Sequence, residues 1–152
     1  MAEPLREQAL VALVAALETI SGTRPWGGAY LNTPIVARVY KTPMQHTQFP
    51  VLLLLEGPGS TFEIAGVDGM FQHKFSIVVY GYVHGDDATT RTTWLQRLWD
   101  DVITVLEANR ILGGLSSDIE IGALETDEGE LEPLGAFAQT ITVTLFESKV
   151  VV

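Results

Sequence analysis

The sequence predicts an α+β domain: a mixed or mostly antiparallel sheet of about five strands with two helices packed on one face, in the order α-β-β-β-α-β-β. Three observations lead there. Two segments, near residues 4–21 and 87–109, carry apolar residues at three- and four-residue spacing. The segments 71–84 and 135–147 alternate in a period of two. Glycine and proline clusters separate these blocks. At 152 residues, with 47% hydrophobic and 18% charged side chains, the chain reads as a single globular domain, 1–152, without internal repeats.

The first helix spans Pro4–Ser21. Leu5, Ala9, Leu13, Ala16, Leu17 and Ile20 form one apolar stripe, Pro4 suits a first turn whose N–H groups have no partner, and Gly22 is the expected stop. After a loop with Pro25, Gly27 and Gly28, Ile35–Lys41 reads as a strand with one wet face. Pro43 and Pro50 bracket a turn. Val51–Glu56 is a short apolar run that suits a buried strand, ended by Gly57-Pro58-Gly59, and Thr61–Met70 has weak strand character.

Phe71–His84 is the longest strand. Phe71, His73, Phe75, Ile77 and Val79 share one face, while the other turns apolar at Val78, Tyr80 and Tyr82, so that end expects cover on both sides. The second helix runs from Asp87 or Ala88 to Asn109, with Asp86, Asp87 and Thr89 as N-cap candidates and Leu95, Leu98, Val102 and Leu106 as its stripe. Two strands close the chain. Asp118–Glu125 places its acids outward and Ile119 and Ile121 inward. In Gly135–Glu147, Phe137, Gln139, Ile141, Val143 and Leu145 share one face, and Ala138, Thr140, Thr142 and Thr144 form an opposite face expected to meet water.

Charge is the most uneven property of the chain. There are 19 acids, 9 bases and a net charge of −10. Asp118, Glu120, Glu125, Asp127, Glu128, Glu130 and Glu132 fall between Leu112 and Gly135, where no basic residue occurs. Such a localised field repels polyanions, holds a cation, or meets a basic partner. It opposes electrostatic binding to nucleic acid or to an anionic membrane. No apolar run is long enough to span a bilayer, and Glu3, Glu7 and Glu18 interrupt the N-terminal apolar stretch, so no signal peptide is expected.

Motifs for chemistry are sparse. With no cysteine there is neither a thiolate nucleophile nor a thiolate metal site. Setting Gly129 as the glycine of a calcium-binding loop puts Leu124 at its first ligand position, so that register fails, and no metal is expected. His73 and His84 differ by an odd number of residues and face opposite sides of a regular strand. With His46 they read as structural histidines. Gly57-Pro58-Gly59-Ser60-Thr61 lacks the lysine and spacing of a phosphate-binding loop. No cofactor and no enzymatic activity are expected. Trp94 and Trp99 are five residues apart, roughly 140° around a helix. Trp94 therefore reads as core and Trp99 as a subunit-interface candidate beside Val78, Tyr80 and Tyr82, while Trp26 stays undecided.

Taken along its length, the chain resembles the tail terminator, or tail completion, proteins of long-tailed bacteriophages. The resemblance is one of layout. It rests on the N-terminal amphipathic helix, the strand Val51-Leu52-Leu53-Leu54-Leu55-Glu56, the long strand Phe75-Ser76-Ile77-Val78-Val79-Tyr80-Gly81-Tyr82, the second helix with Leu95, Leu98 and Val102, and the closing strand Thr140-Ile141-Thr142-Val143-Thr144-Leu145. It implies a hexameric ring at the head-proximal end of the virion tail, assembled in the host cytoplasm. Such a ring caps the tail tube protein, ends its polymerisation and offers a docking face to a head connector or neck protein. DNA would pass through without specific binding, and no membrane is involved. The acidic segment and Thr140, Thr142 and Thr144 are then candidates for lumen or docking surface. Another neck or head-completion ring protein is the alternative within that setting. From a different class, the alternative is a small-ligand-binding or enzymatic α+β domain with a pocket near His73 and Trp94.

Overall fold

A computed structural model describes residues 4–20, 34–39, 45–46, 48–57, 59, 61–64, 70–127 and 132–148. The elements are α1 (Leu5–Leu17), β1 (Ile35–Ala37), β2 (Val51–Glu56), β3 (Thr61–Ile64), β4 (Met70–His84), α2 (Ala88–Ala108), β5 (Asp118–Thr126) and β6 (Leu134–Ser148), with a 3-10 turn at Leu112–Gly114. The fold is α+β as expected. The sheet runs β1-β2-β4-β6-β5, and β3 adds a sixth, short strand on β4. Only β1 and β2 are parallel; the remaining pairs are antiparallel. The weak strand character after Thr61 thus becomes an extra strand, so the order carries four strands before α2 rather than three.

The sheet is built on the β4–β6 ribbon, which is paired without interruption from Met70↔Ser148 to His84↔Leu134. Its two faces differ in kind. Phe75, Ile77, Val79, Ile141 and Val143 point to the helix side. There they pack with Leu52 and Leu54 of β2, Leu13 and Leu17 of α1, and Leu98, Val102 and Leu106 of α2 as one buried cluster. Each such side chain, fully buried, stabilises the fold by about 1.5–3 kcal/mol. Both helices therefore lie on one face, as their stripes require.

Local chemistry sets most of the boundaries. At the start of α2, Asp87 has extended backbone, and its carboxylate accepts from the Thr90 N–H at 2.8 Å and from the Thr90 hydroxyl at 2.8 Å. After α2 the chain turns through positive φ at Leu112, Gly113 and Gly114. Two glycines make this reversal inexpensive. The first helix is shorter than its apolar stripe: it stops at Leu17, and Glu18–Ile20 continue as a tighter turn with the Thr19 and Ile20 N–H groups bonded to Ala16 and Leu17. Gly22, the expected stop, lies outside the described residues. The first strand is likewise shorter than Ile35–Lys41, ending at Ala37. Arg38 instead turns to α1, where its two terminal nitrogens donate to the Glu7 carboxylate at 2.6 and 2.8 Å.

The strand end expected to be covered on both sides is covered, and by this chain. Tyr82 is only 3% exposed and packs with Val51, Leu53 and Ala136 on the side away from the helices. The segment before β2 folds over it: the His46 ring centroid lies 5.3 Å from that of Tyr82 and 6.3 Å from that of Phe49. Tyr82 is therefore corrected from a candidate subunit contact to an internal core residue. Val78 and Tyr80 on the same face remain partly exposed.

Candidate functional site

The acidic segment folds as β5, a turn and the start of β6, and the structure divides it. In β5, Asp118 and Glu120 sit opposite Thr144 and Thr142 on the face away from the helices, while Ile119 and Ile121 enter the core side opposite Val143 and Ile141. Simple alternation would next send Glu125 toward the helices. It does not, because Gly122 and Ala123 together oppose the single residue Thr140, a β-bulge that resets the phase. Leu124 thus pairs with Gln139 and Glu125 with Ala138, so Glu120 and Glu125 share one face, both exposed.

Gln139 holds this bulge. It is the one fully buried polar side chain on the helix-facing side of β6, between Phe137 and Ile141. Its Nε2 donates to the carbonyls of Gly122 (2.9 Å), Ala123 (3.2 Å) and Thr140 (2.9 Å), and its Oε1 accepts from Trp99 Nε1 at 2.9 Å. A buried amide satisfied at both ends pins a unique geometry. Trp99, the expected interface anchor, therefore turns its indole N–H inward, and both Trp94 and Trp99 are partly buried against the core. Trp26 lies outside the described residues.

The ends of the acidic segment are neutralised from within. Asp118 accepts from Arg110 Nε at 2.9 Å, and Arg110 also donates to Glu107 at 2.9 Å. Glu132 accepts from Arg91 at 2.9 Å, and the other terminal nitrogen of Arg91 donates to the Gly85 carbonyl at 3.0 Å. The Arg91 side chain is 8% exposed and Glu132 is 67% exposed, so a buried guanidinium meets a carboxylate at the surface. Asp127 closes the turn, with its N–H bonded to the Ala136 carbonyl and its carboxylate accepting from the Ala136 N–H at 3.3 Å. Glu128 and Glu130 lie outside the described residues.

The threonine face is drier than its sequence predicts. Thr144 is 6% exposed, and Thr140 and Thr142 are partly buried. The reason is position: β6 is an interior strand, with β4 on one side and β5 on the other. Lys74 and Asp118 flank Thr144, and Ser76 and Glu120 flank Thr142. The face expected to meet water does so at Thr140 and Thr142, which are partly exposed and edged by Glu120 and Glu125, and is dry at Thr144.

Two clefts flank these surfaces. One, of about 560 Å³, lies between the first half of α2 and the ends of β5 and β6. Ala88, Arg91, Thr92, Leu95 and Gln96 form one side, and Thr126, Asp127, Glu132, Leu134 and Gly135 the other. The second, of about 420 Å³, lies beside β1 and β2 and is lined by Ile35, Ala37, Val39, Val51, Leu53 and the segment Gln45, His46 and Gln48. Neither is lined by His73 or Trp94, where the ligand-binding alternative expected its pocket. His73 instead sits 3.0 Å from a Glu147 carboxylate oxygen, on the helix side of the sheet. Among the described residues, no three histidine, aspartate or glutamate side chains converge on a metal-sized site. No described helix is long and apolar enough to cross a membrane.

Among the described residues, three carboxylates titrate below their ordinary values. Glu7 is lowered by its hydrogen bonds from Arg38, Asp87 by the Thr90 backbone and hydroxyl, and Asp118 by its hydrogen bond from Arg110. A depressed value in the folded state means stability that is complete above about pH 4, where free carboxylates titrate, and that is lost as pH falls through the depressed value. Asp87→Asn retains a cap acceptor without the charge. Its melting temperature is expected to fall below that of the unaltered chain at neutral pH and to converge with it on acidification below about pH 3. A melting-temperature offset independent of pH would contradict the assignment.

No protein-family model matches the chain, and no curated protein matches its sequence.

Proposed function

We propose that this protein is a structural ring subunit of the tail terminator type: six copies cap a phage tail tube, end its growth and present a docking face to the head connector, with DNA passing through the ring. The observation that carries this reading is the one-sidedness of the sheet. Both helices cover one face, and on the other, where Val78, Tyr80 and Thr140 are only partly buried, no helix lies among the described residues. Partly apolar sheet surface of this kind is suited to contact with neighbouring copies.

The charge distribution supports the same reading. Glu120 and Glu125 project from the edge strand β5 beside Thr140 and Thr142. Carboxylates on an edge strand discourage open-ended strand pairing, and an acidic or hydroxyl-lined passage does not hold a phosphate backbone as lysine or arginine would. In this reading the protein works by shape and surface complementarity rather than by catalysis, at the head-proximal end of the tail.

Mass photometry alone and with purified tail tubes tests the proposal. The expected result is a species near 100 kDa, about six times the 16.6 kDa chain, located at tube ends. A chain that stays monomeric with tubes present and leaves tube growth unchecked would overturn it. Ring formation with binding to heads but not to tubes would move the protein to another neck position.

A further inference from the structure

The cleft between α2 and the ends of β5 and β6 lies on the helix side of the sheet. At about 560 Å³ it falls within the roughly 300–1,000 Å³ of clefts that hold ligands or inserted side chains. Its floor is apolar, made by Leu95 and Leu134, with Gly135 between them. A Cβ at Gly135 would come within 3.2 Å of Val83 and 3.8 Å of Leu95, so the glycine keeps this wall thin.

The cation in the wall is already committed. Arg91 packs so closely on Gly85 that a Cβ there would come within 2.9 Å of it, and its guanidinium is held by the Gly85 carbonyl and Glu132. It braces the cleft and offsets one of the two lining carboxylates, which leaves the lining with one carboxylate in excess. The opposite wall carries Asp127 and the outer part of Glu132, within a segment that has seven acids and no base. An anionic occupant would meet that field unfavourably, and a purely apolar one would desolvate the carboxylates without compensation. A long aliphatic stem ending in a cation satisfies floor and rim together.

We infer that this cleft is a docking site for a lysine or arginine side chain presented by a partner polypeptide, its stem on Leu95 and Leu134 and its charge beside Asp127 and Glu132. Placing that partner at the neck of the tail rests on the ring reading above; the chemistry of the cleft does not. The acidic segment then has two separate parts. Glu120 and Glu125 belong to the sheet face, and Asp127 and Glu132 belong to the docking cleft on the helix side.

The test titrates the intact protein with an acetylated and amidated Leu-Lys-Leu-Arg-Leu peptide, read by calorimetry, with the same peptide carrying glutamates as the comparison. Binding of the basic peptide alone is expected. The double variant Asp127→Asn/Glu132→Gln keeps acceptors for Ala136 and Arg91 but removes charge, and is expected to weaken binding about tenfold. Thr92→Trp fills the cleft without changing charge and is expected to weaken binding similarly, with the folded state checked by circular dichroism. Glu120→Gln/Glu125→Gln removes as much charge from the sheet face and is expected to stay within about twofold. Equal weakening by the two double variants, no effect of Thr92→Trp, or no binding of the basic peptide would overturn the inference. Ring assembly of the same variants is read separately by mass photometry. Intact rings without peptide binding defeat the docking cleft alone, and peptide binding by a chain that never assembles defeats the ring alone.

Discussion

Gly81→Ala is expected to destabilise the protein by about 3 kcal/mol, the upper range for forcing one methyl group into a packed core. Gly81 of β4 lies directly opposite Phe137 of β6, and the phenyl ring covers the glycine. A Cβ at position 81 would land on Cε2 and Cζ of that ring and 2.8 Å from its Cδ2. The ring cannot swing aside freely, because Phe137 is 2% exposed within the main cluster. For a domain of this length the loss amounts to a melting temperature lower by roughly 6–12 °C. Phe137→Leu on the same background should recover part of it, since the shorter side chain vacates the space. An unchanged denaturation midpoint for Gly81→Ala would show that the ring does not sit on the glycine.

The second large effect is expected at Gln139. Gln139→Leu keeps the approximate volume and removes the acceptor for Trp99 and two N–H donors shared among three carbonyls; at roughly 1 kcal/mol for each of these groups, a loss of about 3 kcal/mol is expected. Trp99→Phe removes only the indole bond and should cost about 1 kcal/mol. Gln139→Glu should be the most damaging of the three, because a buried carboxylate would face the carbonyls of Gly122 and Ala123 with nothing to donate. Urea denaturation of the three variants reads the order directly. Hydrogen exchange at Gly122–Leu124 should quicken in both Gln139 variants and not in Trp99→Phe. If Gln139→Leu proves as stable as the unaltered chain, the amide does not hold the bulge.

What was legible in the sequence is what short-range pattern determines. Asp87 three residues before Thr90, followed by a stripe through Leu98, Val102 and Leu106, is enough to place α2. Strict alternation places β6, and the bounded apolar run places β2 at its observed limits. Most of the missed features are pairings across distance. Glu7 with Arg38, Arg91 with Glu132, and His46 over Tyr82 join residues that no periodicity connects. The bulge carried a faint sign in Gln139, a lone amide among Phe137, Ile141, Val143 and Leu145. An amide on a core face calls for backbone groups to bond, and a break in the neighbouring strand supplies them. The acidic segment was visible as charge, but its division between a sheet face and a cleft follows from that break and from Arg91.

The long β4–β6 ribbon also has a mechanical meaning. Fifteen residues of strand extend about 50 Å, whereas the 21 residues of α2 cover about 31 Å. Burial on the helix side is nearly complete at Phe75, Ile77, Val79 and Val83 and only partial at Phe71 and His73. The core therefore clamps the ribbon as far as Leu145, opposite His73, and at the Met70 end β3 braces it sideways as a third strand.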